Sequence, residues 1–262
     1  MLDFHTHIFP EKIADSTIKH LSGVCRMDPF TNGKEEGILS SAREAGISCS
    51  VLLPVATAPK QFDSIHRFAL QFMEGELISF GGIHPDCDDY KEKLQWIKTN
   101  GFKGIKLHPD YQNTYFNDIK YKRIISCASE LDLIVVTHAG VDPISPTDVH
   151  CTPKMIEEVL DEVSPKNLVL AHMGGNLMFD EVEARLVGRD VYFDTSYVLD
   201  KRNPWQLTRM MRNHGIDKIL FATDSPWGGQ KEFVEVLYQM PFTKEERDKI
   251  AYKNAKKLLK IQ

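Results

Sequence analysis

Several features are missing from this sequence, and each absence removes a class of protein. The opening segment, MLDFHTHIFPEK, has no positive stretch followed by an apolar run, so no signal peptide is read there. No segment approaches the roughly 20 apolar residues needed to span a bilayer. Five cysteines (Cys25, Cys49, Cys87, Cys127, Cys151) make an odd number without CxxC spacing. They read as reduced thiols of a cytoplasmic protein, not as a disulfide framework. Lysine and arginine form no run, and the net charge of −5 disfavours nucleic acid or an anionic membrane as a partner. There is no linker, low-complexity tract or break in composition, so residues 1–262 are read as a single domain.

What is present alternates regularly. Short apolar, β-branched runs at 2–6, 48–55, 77–83, 103–107, 133–137, 167–171, 191–194 and 219–223 read as eight strands. Helical patterns separate them, for example KQFDSIHRFALQFM, DIKYKRIISCASEL, TPKMIEEVLDEV and NLMFDEVEARLV. Thr152 followed by Pro153 marks one helix start, and Thr243 with Glu246 marks the closing helix. Runs such as LIVVTHA and NLVLAH are apolar throughout, as strands buried on both faces should be. An open doubly wound sheet competes, but no GxGxxG follows the first strand. The expected fold is α/β, a single (β/α)8 TIM barrel with its active site at the C-terminal ends of the strands. Residues 21–37 are expected to be irregular, a candidate lid or specificity loop.

Six of the ten histidines (His5, His7, His84, His108, His138, His172) stand at predicted strand ends. In a barrel those ends share one rim. His5 and His7 form an HxH pair, and residues two apart on a strand face the same way. His138 closes LIVVTHAG and His172 closes LVLAHMGG, each followed by small residues that let the backbone turn away. Asp224 ends KILFATDSPWG, where an apolar strand runs straight into a carboxylate that needs a partner. The alternative is a capping carboxylate or isolated core histidines. His5, His7, His138 and Asp224 together give an N,N,N,O ligand set suited to Zn²⁺, with Mn²⁺, Fe²⁺ or Co²⁺ as alternatives. Asp224 and His172 are the candidate catalytic residues: the carboxylate to take and return a proton, the imidazole as a further ligand or oxyanion contact. Cys151 lies beside His150, and an ordinary reduced loop cysteine is preferred there over a nucleophilic pair.

The stretches DFHTH, GGIHP, GIKLHP, THAG, AHMGG and FATDSPW occur in an order that resembles the amidohydrolase superfamily. The likeness is closer to its amidohydrolase-related branch, which includes aminocarboxymuconate-semialdehyde decarboxylase-like enzymes. The resemblance spans almost the whole chain. It implies metal ligation by His5, His7, His138 and Asp224 and a catalytic role for His172. Lys106 occupies a place comparable to the carboxylated lysine of binuclear members, so Lys106, His108 and His84 are candidates for a second metal or for substrate contact; the branch that the chain resembles is usually mononuclear, which favours one ion over two. Asp194 is expected to support a metal-ligating histidine, and His150, Tyr197 and Trp227 to line the pocket.

The first functional expectation is hydrolysis of a C–N or C–O bond in a small amide, cyclic amide or lactone. The second is decarboxylation or hydration of a small unsaturated acid, favoured if Arg26, Arg202 or Lys106 reaches a second carboxylate. A TatD-like nuclease shares the early HxH but needs a glutamate that GIKLHP lacks. A catalytically silent binding barrel is the last alternative. The expected partner is a small-molecule substrate, with homo-oligomerisation left open.

Overall fold

A computed structural model describes residues 1–261. In chain order its first half contains β1 (Leu2–Thr6), α1 (Glu11–Cys25), α2 (Glu35–Ala45), β2 (Cys49–Leu52), α3 (Phe62–Ala69), β3 (Leu77–Ser79), β4 (Gly81–Gly82), α4 (Tyr90–Thr99), β5 (Gly104–Leu107) and α5 (Ile119–Glu130). There follow β6 (Ile134–Thr137), α6 (Pro153–Val163), β7 (Leu168–Leu170), α7 (Phe179–Arg185), β8 (Tyr192–Asp194), α8 (Pro204–His214), β9 (Ile219–Leu220), α9 (Gln230–Gln239), α10 (Lys244–Asp248) and α11 (Asn254–Leu259). The residues fall into two compact units. Among the described residues the first comprises 1–52, 74–78 and 194–261, the second 53–73 and 79–193.

In the second unit, β4, β5, β6, β7 and the start of β8 pair in sequence order, all parallel. The register runs Gly82↔Lys106↔Val136 and Leu107↔Thr137↔Leu170↔Phe193. Every residue of β5, β6 and β7 is buried, which explains their unbroken apolar character. Because the ladder is parallel, His84, His108, His138 and His172 all follow strand ends on one edge of it.

In the first unit, β1 pairs parallel with β2, and the register slips between Asp3 and Thr6. That bulge contains His5. On its other side β1 runs beside residues 221–225, with Phe4 N donating to Phe221 O and Asp224 N donating to His5 O (both 2.9 Å). The buried bulge re-aims one side chain where a regular strand would fix it by alternation.

Three sequence expectations change. The run 77–83 divides at Phe80, because Ser79 N donates to Phe72 O and the Ser79 hydroxyl donates to Phe80 O. The segment 21–37 is not irregular throughout: α1 continues to Cys25 and closes at Arg26 in the left-handed region (φ 53°). Gly23 inside that last turn obscures the helical pattern. The closing helix is interrupted by a π-turn over 249–253, where the Ile250 carbonyl accepts from Phe221 N (3.0 Å).

Candidate metal centre

Asp3 shapes the first group of functional side chains. Its carboxylate accepts from Thr223 Oγ1 (2.6 Å), Gln230 Nε2 (2.9 Å), Thr223 N (3.0 Å) and His5 N (3.3 Å). It therefore ties β1 to the segment leading into Asp224. Complete burial pushes the Asp3 carboxyl up to about 7, against the hydrogen bonds that pull it down.

His5 is buried, and its Nδ1 lies 2.8 Å from Asp194 Oδ2. A carboxylate accepts, so Nδ1 donates to Asp194, and in the neutral ring Nε2 is the nitrogen that can bind a cation. Asp194 is held in turn by Ser196 N (3.0 Å). His5 Nε2 faces Asp224 Oδ1 at 3.4 Å, and His7 Nε2 faces the same oxygen at 3.1 Å. The two imidazoles meet edge to face with centroids 5.1 Å apart. Without an ion, His7 Nε2 is within hydrogen-bond distance of Asp224 Oδ1; with one, both imidazole nitrogens and the carboxylate oxygen converge on a common point. Donors bound at about 2.1 Å to one ion are themselves separated by roughly 3.0–3.4 Å, which is the spacing here. The donor set fits a divalent cation. Asp224 has φ 68°, a backbone conformation costly for a non-glycine residue and kept only where its surroundings enforce it.

The second unit gathers another group. His108, His138 and Asp142 present ligand atoms within 4.8 Å of one another. The His108 and His138 rings stack with centroids 4.5 Å apart. His138 Nε2 lies 3.2 Å from Gly140 O, and His172 Nε2 lies 3.0 Å from His138 Nδ1. His172 is also in the left-handed region (φ 57°). Gly140 allows the sharp exit after His138: with φ 86°, a Cβ there would lie 2.1 Å from Asn176 N. Sequence reading overlooked Asp142 and Asp110, both in loops and outside any motif. Composition gives no signal for them, since loop carboxylates are ordinarily solvated.

The remaining residues have defined places. Lys106 is buried in β5 (1% exposed). Burial holds His84 below its usual range, and its Nδ1 accepts from Asp86 N (3.1 Å), so it stabilises a turn. His150 is buried against Asp110 (Nδ1 to Oδ1, 3.2 Å) and stacks on Tyr115. Tyr197 donates its hydroxyl to Met27 Sδ and carries Lys201 over its ring. Trp227 is buried, and its backbone N–H donates to the Asp224 carbonyl (2.8 Å). Arg26 is exposed and Arg202 half-buried. Cys151 is fully buried with its thiol pushed far up by desolvation, which argues against a nucleophile and for an inert thiol. Among the described residues no helix is long and apolar enough to cross a membrane.

A search of curated proteins finds no match. The family model described as amidohydrolase matches residues 3–261. Solved structures share the fold at low identity. One is 2,6-dihydroxybenzoate decarboxylase complexed with 2,6-dihydroxybenzoate: 18% identical, 99% of each chain covered, TM-score 0.75. Another is a dihydroxybenzoic acid decarboxylase from Polaromonas sp. JS666 with bound manganese and the inhibitor 2-nitroresorcinol: 15% identical, covering 99% of this chain and 96% of that one, TM-score 0.73. A third is an uncharacterized TIM-barrel protein from Bordetella bronchiseptica: 16% identical, covering 99% and 98%, TM-score 0.75. These likenesses give the fold, a (β/α)8 barrel. With a family model spanning nearly every residue and the HxH and FATDSPW motifs inside it, the chain belongs to the amidohydrolase family, on its amidohydrolase-related branch.

Proposed function

We propose that the chain decarboxylates a small aromatic or otherwise unsaturated carboxylic acid, using a divalent ion held by His5, His7 and Asp224. The observation that carries the metal is the convergence of His5 Nε2 and His7 Nε2 on Asp224 Oδ1, at 3.4 and 3.1 Å, while His5 Nδ1 is held by Asp194. Two of the solved structures above are dihydroxybenzoate decarboxylases and one holds manganese, which supports this chemistry and favours Mn²⁺ beside Zn²⁺. The resemblance adds His138 to the same ion, and the loss of metal in His138→Ala is its test.

A divalent ion supplies positive charge that binds an acidic substrate group and offsets negative charge developing during reaction. Breaking the bond between carbon and the carboxylate releases CO2 and leaves an electron pair on carbon, which a proton must meet. Asp224 and His172 are the proposed proton carriers. Lys106 is proposed to meet the substrate's negative charge. Its carboxylation to bridge a second ion is the competing proposal.

Hydrolysis of an amide or lactone, the first expectation from sequence, becomes the second reading. Asp224 favours it as a carboxylate within 3.4 Å of both imidazoles, placed to take a proton from water. The nuclease reading gains support from neither the family model nor the neighbours. Metal-loaded protein should release CO2 from a hydroxybenzoate panel and leave amides and lactones intact, and Asp224→Asn should abolish release. Turnover of the amides or lactones alone would overturn decarboxylation in favour of hydrolysis. Full activity in Asp224→Asn would overturn the site.

A further inference from the structure

We propose that Asp110 is a positioning residue for substrate selection: it latches the loop of residues 141–150 in place as a wall beside the end of β5. The proposal rests on the reading above that a small acid binds among the strand ends. Residues 141–150 carry the chain from β6 towards α6 through turns, without a helix or strand. Gly140 N donates to Cys151 O (2.8 Å) and closes the neck of the loop. On the outward leg, Asp142 Oδ1 accepts from Ile144 N (2.8 Å) and Ser145 N donates to Asp142 O (3.1 Å). On the return leg, Phe116 N donates to His150 O (2.8 Å), and the His150 ring stacks on Tyr115 with centroids 4.7 Å apart.

Asp110 joins the two legs. Its Oδ1 accepts from the Ser145 hydroxyl on the outward leg, and from His150 N (3.3 Å) and His150 Nδ1 (3.2 Å) on the return leg. The Asp110 side chain is fully buried. A carboxylate withdrawn from water needs donors, and bonds to a charged acceptor are stronger than those between neutral groups. The loop supplies those donors, so it moves away only by stranding a buried charge. The shape of the loop after β6 is therefore dictated by a residue of the segment after β5. Held in this shape, the loop brings Asp142 Oδ2 to 3.6 Å from His108 Nε2 at the end of β5. It also leaves Ile144 43% exposed, an apolar contact for a substrate ring.

Asp110 Oδ2 stands 3.8 Å from Nε2 of His138, a candidate metal ligand, so the principal variant changes the loop's donor and not the carboxylate. Ser145→Ala leaves Asp110 and every candidate metal ligand in place. In the metal-loaded protein it should raise KM for the hydroxybenzoate substrates about tenfold and keep kcat within about twofold, because a displaced wall weakens binding in the ground and transition states alike. Hydrogen exchange of the amides in 142–150 should quicken about tenfold while exchange in β5, β6 and β7 stays unchanged. Asp110→Asn keeps a carbonyl oxygen for the same donors and should retain the slow loop exchange that Asp110→Ala loses. Unchanged loop exchange in Ser145→Ala overturns the latch. Faster loop exchange with an unchanged KM overturns the role in substrate selection, as does a joint loss of kcat and bound metal. Wild type that turns over amides or lactones instead sinks decarboxylation alone, and the same KM shift on those substrates upholds the wall.

Discussion

Asp3 lies two residues before His5 and commits both carboxylate oxygens to the segment that carries Asp224. Replacing it by alanine strands the Thr223 and Gln230 donors in a dry interior. Asp3→Ala should therefore destabilise the protein by about 3 kcal/mol in denaturant unfolding. Asp3→Asn should cost less than about 1 kcal/mol. Gln230 Oε1 is buried without a partner, so a flip of that amide lets it accept from the new one. Equal losses in the two variants would refute the network. Asp194 gives a second prediction at this scale. Asp194→Asn can accept through its carbonyl but carries no charge, so it should weaken metal affinity by about 10- to 100-fold while leaving the fold intact. Unchanged affinity would separate Asp194 from the metal. Of these residues, HxH and Asp224 were legible because each ends an apolar run. Asp142 and Asp110 were not, since proximity of loop residues to His138 is set by backbone turns that composition does not record.

Helix starts were legible because a cap is a local event. Thr152 accepts from Met155 N (3.2 Å), and Thr243 and Glu246 form the reciprocal box. Thr152→Ala should cost about 1 kcal/mol, read as a lower denaturation midpoint with unchanged slope. The break between β3 and β4 and the π-turn between α10 and α11 were not legible, because each is caused by a carbonyl or amide diverted to a distant segment. On α3, His66 is buried between Phe62, Trp96 and Phe102, its Nδ1 on Phe62 O and its Nε2 without a partner. Burial lowers its pKa below the usual 6.5. The unfolded chain then binds a proton that the folded one refuses, so this stability is present above about pH 6.5 and is lost as pH falls below it. His66→Leu should flatten that acid-side decline. An unchanged pH profile in the variant would show that His66 is not its source.

At the scale of the whole chain, the ordered alternation of buried strands and helices was enough to indicate the fold class. The reaction was less legible, since hydrolysis and decarboxylation use the same metal ligands and differ in groups that touch the substrate. The single-domain reading predicts one cooperative thermal transition. Metal at 100 times its dissociation constant should stabilise it by about 2.7 kcal/mol and raise Tm by several degrees, an effect that a chelator reverses. Two separate transitions would show instead that the two compact units unfold independently.

The crossing at Gly140 has a consequence for how substitutions will be tolerated. Its backbone touches that of Asn176 so closely that the loop following β6 and the loop following β7 are pinned at one point, with Val141 N on Asn176 O and Asn176 N on Ala139 O. The loops bearing His138 and His172 are thereby yoked, and neither can be remodelled alone.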